Sequence, residues 1–106
     1  MLTPRQRKYL KGLGHSLKPG VHLGKDGITD KFLDNLSNAL NHHELVKVSV
    51  LETSGLDRKE AAEQLGQSTG AEVVAITGFR ILLYRRNETE PKIVLPLESG
   101  VSGVEG

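Results

Sequence analysis

Apolar residues recur along this chain with two different periods, and the switches between them mark its elements. Near the start, Gln6, Tyr9, Leu10, Leu13 and Leu17 fall on one side of a helix, with Arg7, Lys8, Lys11, His15 and, if the helix extends that far, Lys18 opposite. Thr3-Pro4-Arg5-Gln6 supplies the helix start, with threonine as N-cap, proline at the first helical position and glutamine at the third to close a capping box. The spacing predicts a helix to about Leu17. Gly12 and Gly14 weaken it by roughly 1 kcal/mol each relative to alanine, so tertiary packing must support it.

Lys18-Pro19-Gly20 reads as a turn and Val21-His22-Leu23 as a short strand. Phe32, Leu33, Leu36, Ala39 and Leu40 restore the helical period over about Asp30 to His42, with Thr29 as N-cap. LVKVSVL, Leu45 to Leu51, is rich in β-branched residues and predicts a mostly buried strand. Asp57-Arg58-Lys59-Glu60 supplies another capping box before Ala61, Ala62 and Leu65, and Gly70 ends that third helix. Two strands follow, AEVVAI and RILLY, separated by Thr77-Gly78-Phe79 as a hairpin, and KIVLP is a candidate edge strand stopped by Pro96. The order α-β-α-β-α-β-β predicts an α+β fold, a single compact domain over 1–97 with a small mixed sheet and helices packed against it. Residues 98–106 show no pattern and read as a flexible tail.

Between the first strand and the second helix lies Gly24-Lys25-Asp26-Gly27. An Asp-Gly pair is a hairpin signal, yet the residues after it follow a helical period, so this loop joins a strand to a helix. Its glycines precede a helix start, where free N–H groups and the positive dipole end favour an anion, and Lys25 adds a positive charge. The plainer reading is that the glycines only permit a positive φ.

Charge sharpens this picture. The net charge of +1 conceals a first segment, Met1 to Lys25, that carries six basic residues (Arg5, Arg7, Lys8, Lys11, Lys18, Lys25) and no acid. The remainder carries eight basic and thirteen acidic residues. Such segregation points to a polyanion-facing end. Only Tyr9, Phe32, Phe79 and Tyr84 are aromatic, too few for a surface that stacks several bases in turn. With no cysteine, disulfides and thiolate metal sites are excluded, and no apolar run reaches the roughly 18 residues of a membrane span; the chain reads as soluble and intracellular.

Enzymatic chemistry finds little support. His42 and His43 are neighbours, about 100° apart on a helix, and lack the i, i+4 spacing of a zinc-binding pair; near a helix C-terminus they complement the dipole instead. Ser68 falls in a Gly-x-Ser-x-Gly string, Gly66 to Gly70, but this string closes the predicted third helix and does not form the strand-to-helix elbow of a nucleophile, and Asp57 and Glu60 are explained by capping. No catalytic residue, metal or cofactor is expected.

Taken in order, LTPRQRKYLKGLGHSLKP, the GKDG loop with the following Ile-Thr, HHELVKVSVL, DRKEAAEQL, TGAEVV, GFRILLYRR and KIVLP resemble a bacterial single-domain CRM protein of the YhbY-like family, over about Leu2 to Pro96. CRM stands for chloroplast RNA splicing and ribosome maturation. The resemblance implies a domain similar to the C-terminal domain of translation initiation factor three. It also implies RNA contact through Gly24, Lys25, Asp26 and Gly27 with Arg5, Arg7, Lys8, Lys11 and Lys18, association with the ribosomal RNA of large-subunit precursors in the cytoplasm, and no catalysis. Two residues depart from the family pattern: Asp26 puts a negative charge in the loop, and Phe79 follows Gly78 where relatives often carry a basic residue. The alternative is a protein-interaction module with incidental nucleic-acid affinity; a hydrolase built on His42 and His43 ranks last.

Overall fold

The computed structural model describes residues 2–96. Three helices, α1 (Pro4–Gly14), α2 (Asp30–His43) and α3 (Arg58–Thr69), accompany strands β1 (Val21–Leu23), β2 (Leu45–Val50), β3 (Glu72–Thr77) and β4 (Arg80–Tyr84), with a 3-10 turn at Glu52–Ser54. The order predicted from the sequence is the order found, through β4. Local chemistry starts each helix. Thr3 Oγ1 accepts from Gln6 N at 3.1 Å while Thr3 N donates to Gln6 Oε1 at 3.1 Å, which completes the capping box. Thr29 Oγ1 accepts from Phe32 N at 3.0 Å, and Asp57 Oδ1 accepts from Lys59 N and Glu60 N at 2.8 and 3.2 Å. Gly70, at φ 75°, ends α3 in the left-handed conformation that glycine adopts without a Cβ penalty.

The strands form one sheet in the order β1-β2-β4-β3. β1 runs parallel to β2, a pairing that needs a crossover, and α2 supplies it; the other two pairs are antiparallel. Residues opposite one another share a face, so the register sorts the side chains. Val46, Leu83 and Val73, with Val21, Val48 and Ile81, face α2 and α3. There Leu36, Leu40 and Leu65 are fully buried, each stabilising by about 1.5–3 kcal/mol. Leu45, Tyr84, Lys47, Leu82 and Ala75 face the other way, as do His22, Ser49, Arg80 and Thr77. α1 packs on this second face with Leu2, Leu10, Val74, Leu82 and Tyr84, and leaves its far end, at His22, Arg80 and Thr77, accessible.

Three expectations are corrected. α1 stops at Gly14, not near Leu17, so Lys18 lies outside the helix. Gly14 is pressed onto the sheet, where a Cβ would stand 2.6 Å from Leu82 Cδ2, and the chain must then turn so that Gly20 N–H can reach Lys47 O at 3.0 Å. The buried side of α1 is also rotated. Leu10 and Gly14 are buried, whereas Tyr9, Leu13 and Leu17 are 43%, 36% and 36% exposed, and Arg7 points at the sheet instead of away from it. Finally, KIVLP is no strand. The N–H groups of Lys92 and Ile93 donate to Glu44 Oε1 at 2.8 and 2.7 Å, and Asn87 N donates to Glu44 Oε2 at 2.7 Å, so a carboxylate takes the donors a ladder would use. Ile93 and Leu95 pack beside the second core cluster, and Gln6 Nε2 holds Pro96 O at 3.2 Å. The tail expected at 98–106 lies outside the described residues.

Candidate nucleic-acid interface

The Gly24–Gly27 loop is a turn closed by Gly27 N donating to Gly24 O at 3.1 Å, two residues ahead of the Thr29 cap. Its two glycines differ. Gly27 has φ 73°, so the turn itself asks for glycine there. Gly24 has no positive φ, and a Cβ added to it would meet nothing within 4 Å. The fold does not require its bareness. Lys25 and Asp26 are both exposed at the tip, so the acidic departure stands beside the lysine in solvent.

Strand directions place this loop at one end of the sheet. β1 and β2 run toward it, β3 ends there and β4 begins there, so the Gly78-Phe79 hairpin and the 3-10 turn share that end. Arg58 fixes the hairpin: its guanidinium lies 4.5 Å over the Phe79 ring and donates to Gly78 O. Phe79 thus brings the Arg58 guanidinium to the hairpin, and Arg80 follows on the α1 face.

The expected basic residues divide into groups. Arg5, Lys8 and Lys11 are exposed on α1, and Lys18 is exposed in the connection to β1. Arg7 is half-buried, and its Nη1 donates to the carbonyls of Val73 and Val74 on β3, so it anchors α1 to the sheet edge. Lys11 is nearest the open part of the sheet. There a groove of about 190 Å³ is lined by Lys11, His15, Lys47 and Arg80 over a floor that includes Leu82. Lys47 and Arg80 were not among the expected site residues. The signal for Lys47 is the alternation in Leu45-Val46-Lys47-Val48-Ser49-Val50, whose polar positions mark the accessible face of a strand that reads as mostly buried. Arg5 and Lys8 flank a different depression with Tyr9, Leu13 and Pro96.

The histidine pair closes α2, with His42 Nδ1 at 2.8 Å from Asn38 O. Among the described residues, no group of three His, Asp or Glu side chains is placed to hold a metal ion. Next to this pair Glu44 is fully buried at φ 63°, in a backbone region unusual for a residue with a Cβ. Burial pushes its carboxyl up, but the backbone donors of Asn87, Ile93 and Lys92, together with the Arg86 charge, outweigh burial and hold it below its ordinary value. This is a structural carboxylate.

Among the described residues, no helix is long and apolar enough to cross a membrane. The chain is 41% identical over 95 residues to a Haemophilus influenzae protein named RNA-binding protein, covering 90% of this chain and 95% of that one. It is 34% identical over 96 residues to the probable RNA-binding protein YqeI of Bacillus subtilis, covering 91% and 100%. The solution structure of a hypothetical protein from Staphylococcus aureus superimposes with a TM-score of 0.78 at 38% identity, covering 91% of this chain and 100% of the other. The CRS1 / YhbY (CRM) domain model matches residues 2–85, the whole span from the α1 cap to the end of the sheet, and this chain belongs to that family.

Proposed function

We propose that this protein binds RNA without catalysing a reaction on it, and that it acts in the cytoplasm on the ribosomal RNA of large-subunit precursors during ribosome assembly. The observation that carries the reading is the Gly24–Gly27 loop: an exposed turn whose first glycine meets no steric demand of the fold, set at the sheet end toward which Lys11, Lys47 and Arg80 extend a positive surface. Glycine there lets a sugar–phosphate backbone approach peptide N–H groups, a contact that positions RNA without reading its sequence. Relatives named for RNA binding across the full domain length support the same reading.

The test is affinity for large-subunit ribosomal RNA fragments as a function of salt. With Lys8, Lys11, Lys18 and Lys25 each neutralising a phosphate, log K should fall against log salt with a slope at least as steep as roughly −3. The double variant Gly24→Val/Gly27→Val, shown to be folded by circular dichroism, should bind at least about tenfold more weakly. Undiminished binding by that folded variant would refute the loop contact. Co-sedimentation with precursor large subunits in a gradient of cell extract tests the assembly role. A second reading, a protein-interaction module, draws on the exposed Tyr9, Leu13 and Leu17. It requires weak, salt-insensitive RNA binding and a loss of partner when Leu13 becomes Ser.

A further inference from the structure

We infer that the groove between α1 and the open end of the sheet seats the backbone of base-paired RNA, as a second contact beyond the Gly24–Gly27 loop; this rests on the RNA-binding reading above. Lys11 and His15 approach from α1, Lys47 from β2 and Arg80 from β4, and no Asp or Glu lines the groove. Among the described residues none of these four side chains has a hydrogen-bond or ion-pair partner, whereas Arg7, Arg58 and Arg85 are each spent on backbone carbonyls. Like charges gathered without counter-charges repel one another, and a polyanion relieves that cost.

Lys47 is opposite Leu82, two residues along β4 from Arg80, so the two cations are diagonal neighbours about 7–8 Å apart at the backbone. That spacing lets them reach successive phosphates of one strand. Arg80 pairs with Ser49 at the end of the sheet where β1 runs out into Gly24, so groove and loop lie toward the same end of the sheet.

The aromatic side chains decide which RNA fits. Single-stranded RNA on a protein surface draws much of its binding energy from bases stacked on aromatic rings. None lines this groove: Phe32 and Tyr84 are buried, Phe79 lies beneath Arg58, and Tyr9 borders the depression on the outer side of α1. An RNA whose bases are already paired with each other loses nothing on such a surface, and it presents its phosphates outward.

The test compares a hairpin with a stem of about 20 base pairs and a single strand of the same length, roughly the scale on which double-stranded RNA is contacted. The hairpin should bind about tenfold more tightly. Lys47→Gln/Arg80→Gln, and Lys47→Glu/Arg80→Glu where it folds, should weaken hairpin binding at least about fivefold and flatten its salt slope by about 1.4 to 1.8, two phosphates' worth. Equal affinity for the single strand, or unchanged hairpin affinity in the folded Gln variant, would overturn the proposal. The two levels separate cleanly. If the parent binds neither RNA, the RNA-binding function falls with it; if the parent binds, the loop variant fails and the groove variant does not, the groove alone is wrong.

Discussion

Glu44 gives the sharpest quantitative test of how this domain holds together. Its carboxylate accepts three backbone N–H groups, from Asn87, Lys92 and Ile93, at 2.7–2.8 Å, and so ties the segment after β4 to the end of α2. Hydrogen bonds to a charged group contribute about 1.5–3 kcal/mol each, which sums to roughly 5–9 kcal/mol if all three donors stayed buried without a partner. They need not stay. The segment can swing out and hydrate those donors, at the cost of the partial burial of Ile93 and Leu95 and the Gln6–Pro96 hydrogen bond. We therefore expect Glu44→Ala to destabilise by about 2–4 kcal/mol, and Glu44→Gln, which keeps one acceptor oxygen but turns an amide N–H toward one of the donors, by about 1–2 kcal/mol.

Urea unfolding read by circular dichroism measures both values, and amide exchange at Asn87, Lys92 and Ile93 shows whether the segment has detached. The pH dependence follows from the lowered carboxyl pKa. As pH falls, the unfolded chain takes up this proton first, so the stabilisation is complete above the ordinary Glu value of about 4.3 and is lost as pH drops through the folded value beneath it. Glu44→Gln should remove that part of the acid sensitivity. A Glu44→Ala protein that lost less than about 1 kcal/mol and kept those three amides protected would show that the carboxylate does not hold the segment.

The two loop glycines should separate by their backbone. Gly27→Ala should cost about 1–2 kcal/mol in a thermal or urea melt because its φ is 73°, whereas Gly24→Ala should stay within about 0.5 kcal/mol of the parent. Arg7→Ala should destabilise by about 1–2 kcal/mol through loss of its bonds to the Val73 and Val74 carbonyls, and should change RNA affinity less than Lys11→Ala does in a direct titration. Ala at both His42 and His43 should cost no more than about 1 kcal/mol, through the α2 terminus, and metal analysis of the untagged parent should find no stoichiometric zinc.

The succession of elements was legible in local signals along the chain. Thr3, Thr29 and Asp57 act as caps, Gly70 as a stop, and the two apolar periods as helix and strand, because each of these signals operates between residues a few positions apart. The GKDG loop was legible for the same reason, since a strand before it and a helix after it exclude a hairpin. Tertiary structure decided the rest. The side of α1 that is buried depends on Gly14 meeting Leu82 and Arg7 meeting β3, contacts between residues more than 60 positions apart, so the apolar stripe of Tyr9, Leu13 and Leu17 was a misleading guide. Residues 92–96 have the composition of a strand, but their donors find the Glu44 carboxylate, 48 and 49 residues back for Lys92 and Ile93. Lys47 and Arg80 became neighbours of Lys11 only when the register of β2 against β4 aligned them. Local patterns carry the energies of caps and periods; which charges share a face is set by long-range strand pairing, and no spacing within the chain encodes it.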